Sequence, residues 1–170
     1  MYDDLTPVRL FDVVGVRLKR ADNVFEQPER FFYDASYHWQ RIEHVSLTDV
    51  IALHGFDDRE FVFCNQNRFV SNDELRASAR RESLLLMYVN NLDVKVTEVD
   101  WQKKISLQFE HAGKFYSDFA IGDLRLRNYY LARPNGLHHF ADAAAVVFSL
   151  SEKYLGEKYY KTAAQILRWQ

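Results

Sequence analysis

Asp93, Val94 and Lys95 set a carboxylate and an amine two residues apart, and on an extended backbone both side chains leave the same face. A pair of that kind can hold Mg²⁺ and position an attacking water, the chemistry of a metal-dependent nuclease. The site would need further carboxylates upstream. Glu26, Glu29 and Asp34 are present, but no spacing ties them to Asp93, and alternating charge on a solvated strand face accounts for the triplet without chemistry. Other catalytic signatures are missing: the sequence has no Gly-rich phosphate loop, no HExxH, no CxxC pair and no GxSxG elbow. His138 and His139 are adjacent, so on an extended chain they point to opposite faces and cannot chelate one metal together. Cys64 is the single cysteine and reads as a small buried apolar side chain. No catalysis, cofactor or metal is therefore expected.

Binding chemistry is better represented. Residues 101–170 carry 10 Lys+Arg against 6 Asp+Glu, whereas residues 1–100 carry 12 against 18. Lys103, Lys104, Arg125, Arg127, Lys153, Lys158 and Lys161 are interleaved with Tyr129, Tyr130, Tyr154 and Tyr159, and cations with aromatic rings are what a single nucleic-acid strand needs for its phosphates and bases. Packing of the tyrosines in a core or at its rim explains them equally well. The candidate ligand-binding set is Lys161, Tyr159, Lys158, Lys153, Tyr154, Arg125, Arg127 and Lys104. Over the whole chain 22 basic residues face 24 acidic ones, so no global field draws the protein to an anion, and phosphate binding has to be local. That balance also favours the alternative, a protein-interaction adaptor working through a strand surface or an open sheet edge. One cysteine cannot form an internal disulfide, and no long uncharged apolar stretch is present. A soluble cytoplasmic protein with no membrane segment is expected.

The elements that must position these residues are mostly strands. VGVRLK alternates Val14, Val16 and Leu18 with Arg17 and Lys19, a half-buried strand. KISLQFEHAGKFYSDFAI predicts a hairpin: Ile105, Leu107 and Phe109 alternate inward, His111 to Lys114 turns, and Phe115, Ser117, Phe119 and Ile121 resume the inner face. The apolar run SLLLMYVN from Ser83, the following LDVKV, and AAVVFSL from Ala144 are further strands. Two short helices are marked by capping boxes, Ser46 with Asp49 and Ser71 with Glu74, the first stopped by Gly55. EKYYKTAAQILRW, from Glu157 to Trp169, fits either an amphipathic helix through Tyr160, Ala163, Ala164 and Leu167 or a strand. The strand is expected, because AAVVFSL needs a partner and the stretch from Tyr154 to Lys158, centred on Gly156, has the length of a hairpin turn. Strict alternation then puts Tyr160, Ala164 and Ile166 in the core and Lys161 outside beside Tyr159 and Gln165.

The order of these segments resembles the bacterial dual-OB domain family. The resemblance runs from about Arg9 to Ile166. It rests on Gln27, Pro28 and Glu29 followed by Trp39, on Asp123 at a strand end, and on a closing pattern matched by Ser149, Leu150, Glu152, Tyr160, Lys161 and Ala164. Three positions depart from the pattern: Arg30 stands for Asn, Gly122 for Thr and Ser151 for Gly. The resemblance implies a mostly-β chain with a few short helices, folded as two small OB-type barrels packed as one compact unit. The first barrel would run from about Val8 to Thr97 with helical insertions, the second from about Glu98 to Gln170. It further implies recognition of single-stranded nucleic acid or a nucleotide in bacterial conflict or defence systems. Family members carry a leading strand ahead of the part that Val8 to Leu18 resembles. Without it the first barrel has an unpaired edge near Val14 to Leu18, and a homodimer or a dedicated protein partner is expected to close it.

Overall fold

The structure, a computed structural model, describes residues 2, 6–22, 27–80, 82–152 and 158–168. Among the described residues strands dominate, with three short helices. The chain forms two compact units, Met1–Gly55 and Phe56–Gln170.

In the first unit VGVRLK is not one strand. It breaks at Val16 and Arg17 into β1 (Asp12–Gly15) and β2 (Leu18–Ala21). β2 pairs antiparallel with β3 (Phe31–Tyr33) and β1 with β4 (Gln40–His44). Val14 lies opposite Arg41 and Leu18 opposite Tyr33, and Leu18 is exposed rather than half-buried. Asp12 pins this unit together, accepting from the Tyr2 hydroxyl at 2.7 Å and the Arg9 amide at 2.9 Å, with the His44 ring at 2.9 Å. α1 (Leu47–His54) starts at Ser46, whose side chain and that of Asp49 cap each other's amides, and stops at Gly55 in the left-handed region.

The second unit holds β5 (Phe69–Ser71), α2 (Asn72–Ala77), β6 (Leu84–Val99), β7 (Gln102–His111), β8 (Lys114–Ile121), α3 (Leu124–Leu131), β9 (Gly136–Leu150) and β10 (Lys158–Leu167). β6 pairs with β7, β7 with β8, β8 with β10 in parallel, β10 with β9, and β9 returns to β6. The pairings thus close a ring of five strands, with β5 added to the free part of β10. Inside it Phe109 stacks on Tyr116 at 5.0 Å and meets Phe119 and Phe148 edgewise or tilted at 5.2 Å each. Offset and edge-on geometries of this kind add to the burial that drives the core together.

Three irregularities decide which side chains enter that core, because an extra residue in a strand reverses the facing of everything beyond it. β6 joins SLLLMYVN and LDVKV into one strand: Leu85, Met87 and Val89 point in, Asn90 and Asn91 both point out, and Leu92, Val94 and Val96 point in. Asn91 absorbs the shift at φ 49°. In β8 Tyr116 is buried and Phe115 exposed, the reverse of the expected facing. The parity is restored at Asp118, φ 57°, before Phe119 and Ile121. In β10 the register slips between Ala163 and Gln165. Tyr159, Lys161 and Ala163 are buried before it, Ile166 and Leu167 after it.

Gly122, one of the positions where the sequence departs from the pattern it resembles, sits in a close backbone approach. Its amide donates to Ala163 O at 2.8 Å, and a Cβ would meet the Ala164 Cα and Thr162 Cγ2 at 3.1 Å each. Gly122→Thr should destabilise the protein by about 1–3 kcal/mol, the usual cost of overpacking against backbone. Chemical denaturation of the two proteins checks it.

Candidate nucleic-acid interface

The outer surface of β7, β8 and β10 carries a groove of about 660 Å³. Its floor includes Ile105, Ser106, Ala120 and Ile121, and its charged lining is Arg68, Lys103, Lys104, Arg127 and Lys161 against Asp100 and Asp118. Four exposed cations, Arg68, Lys103, Lys104 and Arg127, over two carboxylates make it locally basic in a protein of net charge −2, while Lys161 enters the lining with a side chain that is almost wholly buried.

The lining cations come from separate parts of the second unit. Arg68 precedes β5, whose register on β10 is fixed by Phe69 opposite Tyr160. Lys104 alternates outward from the start of β7. Arg127 rides on α3, which begins because the Asp123 carboxylate accepts the Arg125 and Leu126 amides at 3.0 and 3.1 Å. Gln165 of β10 donates to the other oxygen of Asp123 at 2.6 Å and ties the start of α3 to the ring. With Leu126 and Tyr130 turned inward, Arg127 is left on the groove side and Arg125 is exposed outside it. Lys103 is committed: its amine donates to Leu131 O at 2.9 Å and Arg133 O at 2.7 Å, capping the C-terminal end of α3. Among the described residues, none forms an ion pair or a hydrogen bond with the side chain of Arg68, Lys104 or Arg127, although the Thr97 hydroxyl donates to the Lys104 backbone carbonyl at 3.4 Å.

Lys161 does not face out. It is 1% exposed, and its amine donates to the Asn65 backbone carbonyl and, at 2.9 Å, to the Asn65 Oδ1. Asn65 passes the contact to Glu74 at 2.8 Å, and Glu74 accepts from the Ser71 amide and hydroxyl at 2.8 Å each. Lys161 therefore braces the loop before β5 and the start of α2 against β10. Burial pushes its pKa down to about 7, opposed by the nearby Cys64 and Glu74. Tyr159 is likewise in the core, at 1% exposure, whereas Tyr160 is 42% exposed and lines the groove with its ring tilted against Phe69 at 6.2 Å. Lys158 lies over the same Phe69 ring, 4.2 Å from its centroid.

Of the residues expected in a binding site, the groove thus brings together Lys104, Arg127 and the wall-forming Lys161. Lys158 sits on the neighbouring Phe69, Arg125 and Tyr159 point elsewhere, and Lys153 and Tyr154, with the turn expected around Gly156, lie outside the described residues. Arg68 and Tyr160 were not in the expected set. Arg68 comes from the acidic half of the chain, and Tyr160 reaches the groove only because of the slip in β10.

The Asp93 and Lys95 pair does not form one site. Asp93 meets the His139 ring at 3.0 Å, and Lys95 pairs with Asp118 at 3.4 Å. Among the described residues no three His, Cys, Asp or Glu side chains converge as metal donors, and no helix is long and apolar enough to cross a membrane.

A closed five-strand ring with a helix between its third and fourth strands is the architecture of OB folds, which bind oligonucleotides across a strand face. No curated protein and no solved structure matches the chain. A family model described as the dual OB-containing domain matches residues 1–166, nearly the whole length, and the chain belongs to that family.

Proposed function

We propose that the groove on β7, β8 and β10 binds single-stranded nucleic acid without catalysis. The supporting observation is the set of three unpaired cations, Arg68, Lys104 and Arg127, beside the exposed ring of Tyr160 in one basic groove. Cations along a groove track the phosphates, and an exposed aromatic side chain offers a face to a base. In this proposal the five-strand ring of the second unit is one OB-type barrel and the first unit contributes the other. Recognition of this kind suits the bacterial conflict or defence setting that the resemblance implies. Fluorescence anisotropy of labelled single-stranded DNA and RNA tests the reading. Binding is expected at low salt, weakening as salt rises with a log–log slope of about −2, since each phosphate contact on a single strand contributes about −0.7. No binding at low salt would remove the proposal.

The adaptor reading keeps one observation of its own. The first unit exposes Leu18, Phe31, Phe32, Tyr33 and Ile42 on two short strand pairs, and exposed apolar side chains with open strand edges suit a protein partner or a second copy. Light scattering at increasing concentration separates the two: a dimer supports it, a monomer at every concentration counts against self-pairing.

A further inference from the structure

β6 and β7 are joined by a two-residue turn, Asp100 and Trp101, closed by Val99 opposite Gln102. Both central residues have positive φ, 51° and 62°, the signature of a tight hairpin turn whose second position favours Gly. Here it holds the bulkiest side chain available. A large residue at positive φ is strained, and the strain brings no packing in return, because Trp101 is 95% exposed. A fully solvated indole also contributes none of the burial energy that a core tryptophan would. The turn sits at the rim of the basic groove: Val99, Asp100 and Gln102 all line it. Nothing in the packing of the second unit explains Trp101, whereas a rigid hairpin tip at the mouth of a phosphate-binding groove is where a base leaving that groove can stack.

We infer that Trp101 is a stacking platform for a base of a single strand whose phosphates lie along Arg68, Lys104 and Arg127. This rests on the reading of the groove as a single-strand site and adds to it that the ligand extends past the groove to the hairpin tip. The stack is indifferent to base identity, because every base offers a π face.

The test uses fluorescein-labelled oligo-dT and an abasic strand of the same length, with the full chain and its Trp101→Gly and Trp101→Phe variants. Trp101→Gly should weaken oligo-dT binding about tenfold or more, the usual effect of losing one stacked base, with the salt slope unchanged. On the abasic strand it should bind like the parent protein, and Trp101→Phe should keep most of the oligo-dT affinity. Because Gly suits the turn, the Gly variant should melt no earlier than the parent, which separates lost stacking from lost structure. If Trp101→Gly binds oligo-dT as tightly as the parent while Lys104→Ala weakens binding, the platform is wrong and the groove stands. If the parent binds neither strand at low salt, the groove reading falls and the platform with it.

Discussion

Lys161→Ala should cost the protein about 3 kcal/mol of stability, as much as the loss of a core side chain. Alanine leaves the Asn65 carbonyl and Oδ1 without their donor and opens space beside Tyr159, and unsatisfied buried acceptors and a cavity each carry a penalty of that order. Lys161→Met keeps the volume, so it avoids the cavity although it leaves the same acceptors without a donor, and it should lose less than Lys161→Ala. The two variants also differ in pH dependence. The Lys161 amine has a folded pKa of about 7 against an ordinary 10.5, so between those values the unfolded chain binds more protons than the folded one. Stability therefore rises with pH across that window, by about 2 kcal/mol between pH 7 and pH 9. Above that, burial holds the pKa of Cys64, Tyr116 and Tyr130 above the ordinary values in the folded state. Their deprotonation then favours the unfolded chain and turns the curve over. Denaturant midpoints measured at each pH should show the rise in the parent protein and a flat profile in Lys161→Met. A parent profile as flat as the variant's would mean that Lys161 is solvated.

Tyr159→Ala should destabilise the protein by about 3–5 kcal/mol, the range for deleting a buried aromatic side chain, while Tyr160→Ala should cost about 1 kcal/mol or less. Tyr159 is 1% exposed among the core of the five-strand ring; Tyr160 is 42% exposed beside Phe69. Strict alternation back from Ile166 assigns these roles the other way round, so thermal melts of the two variants decide between an interrupted and an uninterrupted strand. Tyr160→Ala should also weaken strand binding, because its ring faces the groove, whereas Tyr159→Ala should affect binding only through folding.

That reversal shows what the sequence discloses and what it hides. The hairpin of β7 and β8, the strand character of β9 and β10 and both capping boxes follow from local chemistry: alternation, a Gly-containing turn, and Ser with an acidic residue three positions on. Facing within a strand is a longer-range property. The shifts at Asn91, at Asp118 and between Ala163 and Gln165 each insert one residue, and a polar or small residue in a strand reads the same whether it is bulged or regular. Strict alternation accordingly puts Lys161 on the surface, although its amine is satisfied by Asn65, a residue distant in sequence. α3 carries a local signal of its own: Asp123 is a good N-cap, and Leu126 with Tyr130 has helical spacing. The groove itself was half visible. Lys104 and Arg127 stand out in a basic stretch, but Arg68 is isolated in the acidic half, and only the pairing of β5 with β10 brings it alongside.

The central claim is that these three cations hold the phosphates of a single strand, and the salt dependence of binding measures it most directly. The parent protein and the Arg68→Ala, Lys104→Ala, Arg127→Ala triple variant should melt alike, since all three side chains are exposed and unpaired. The parent should bind labelled oligo-dT with a log–log salt slope of about −2, and the triple variant, having lost three contacts of about 0.7 each, should show a slope near zero and a correspondingly weaker affinity at low salt. A triple variant that is folded and binds with the parent's slope would contradict the account.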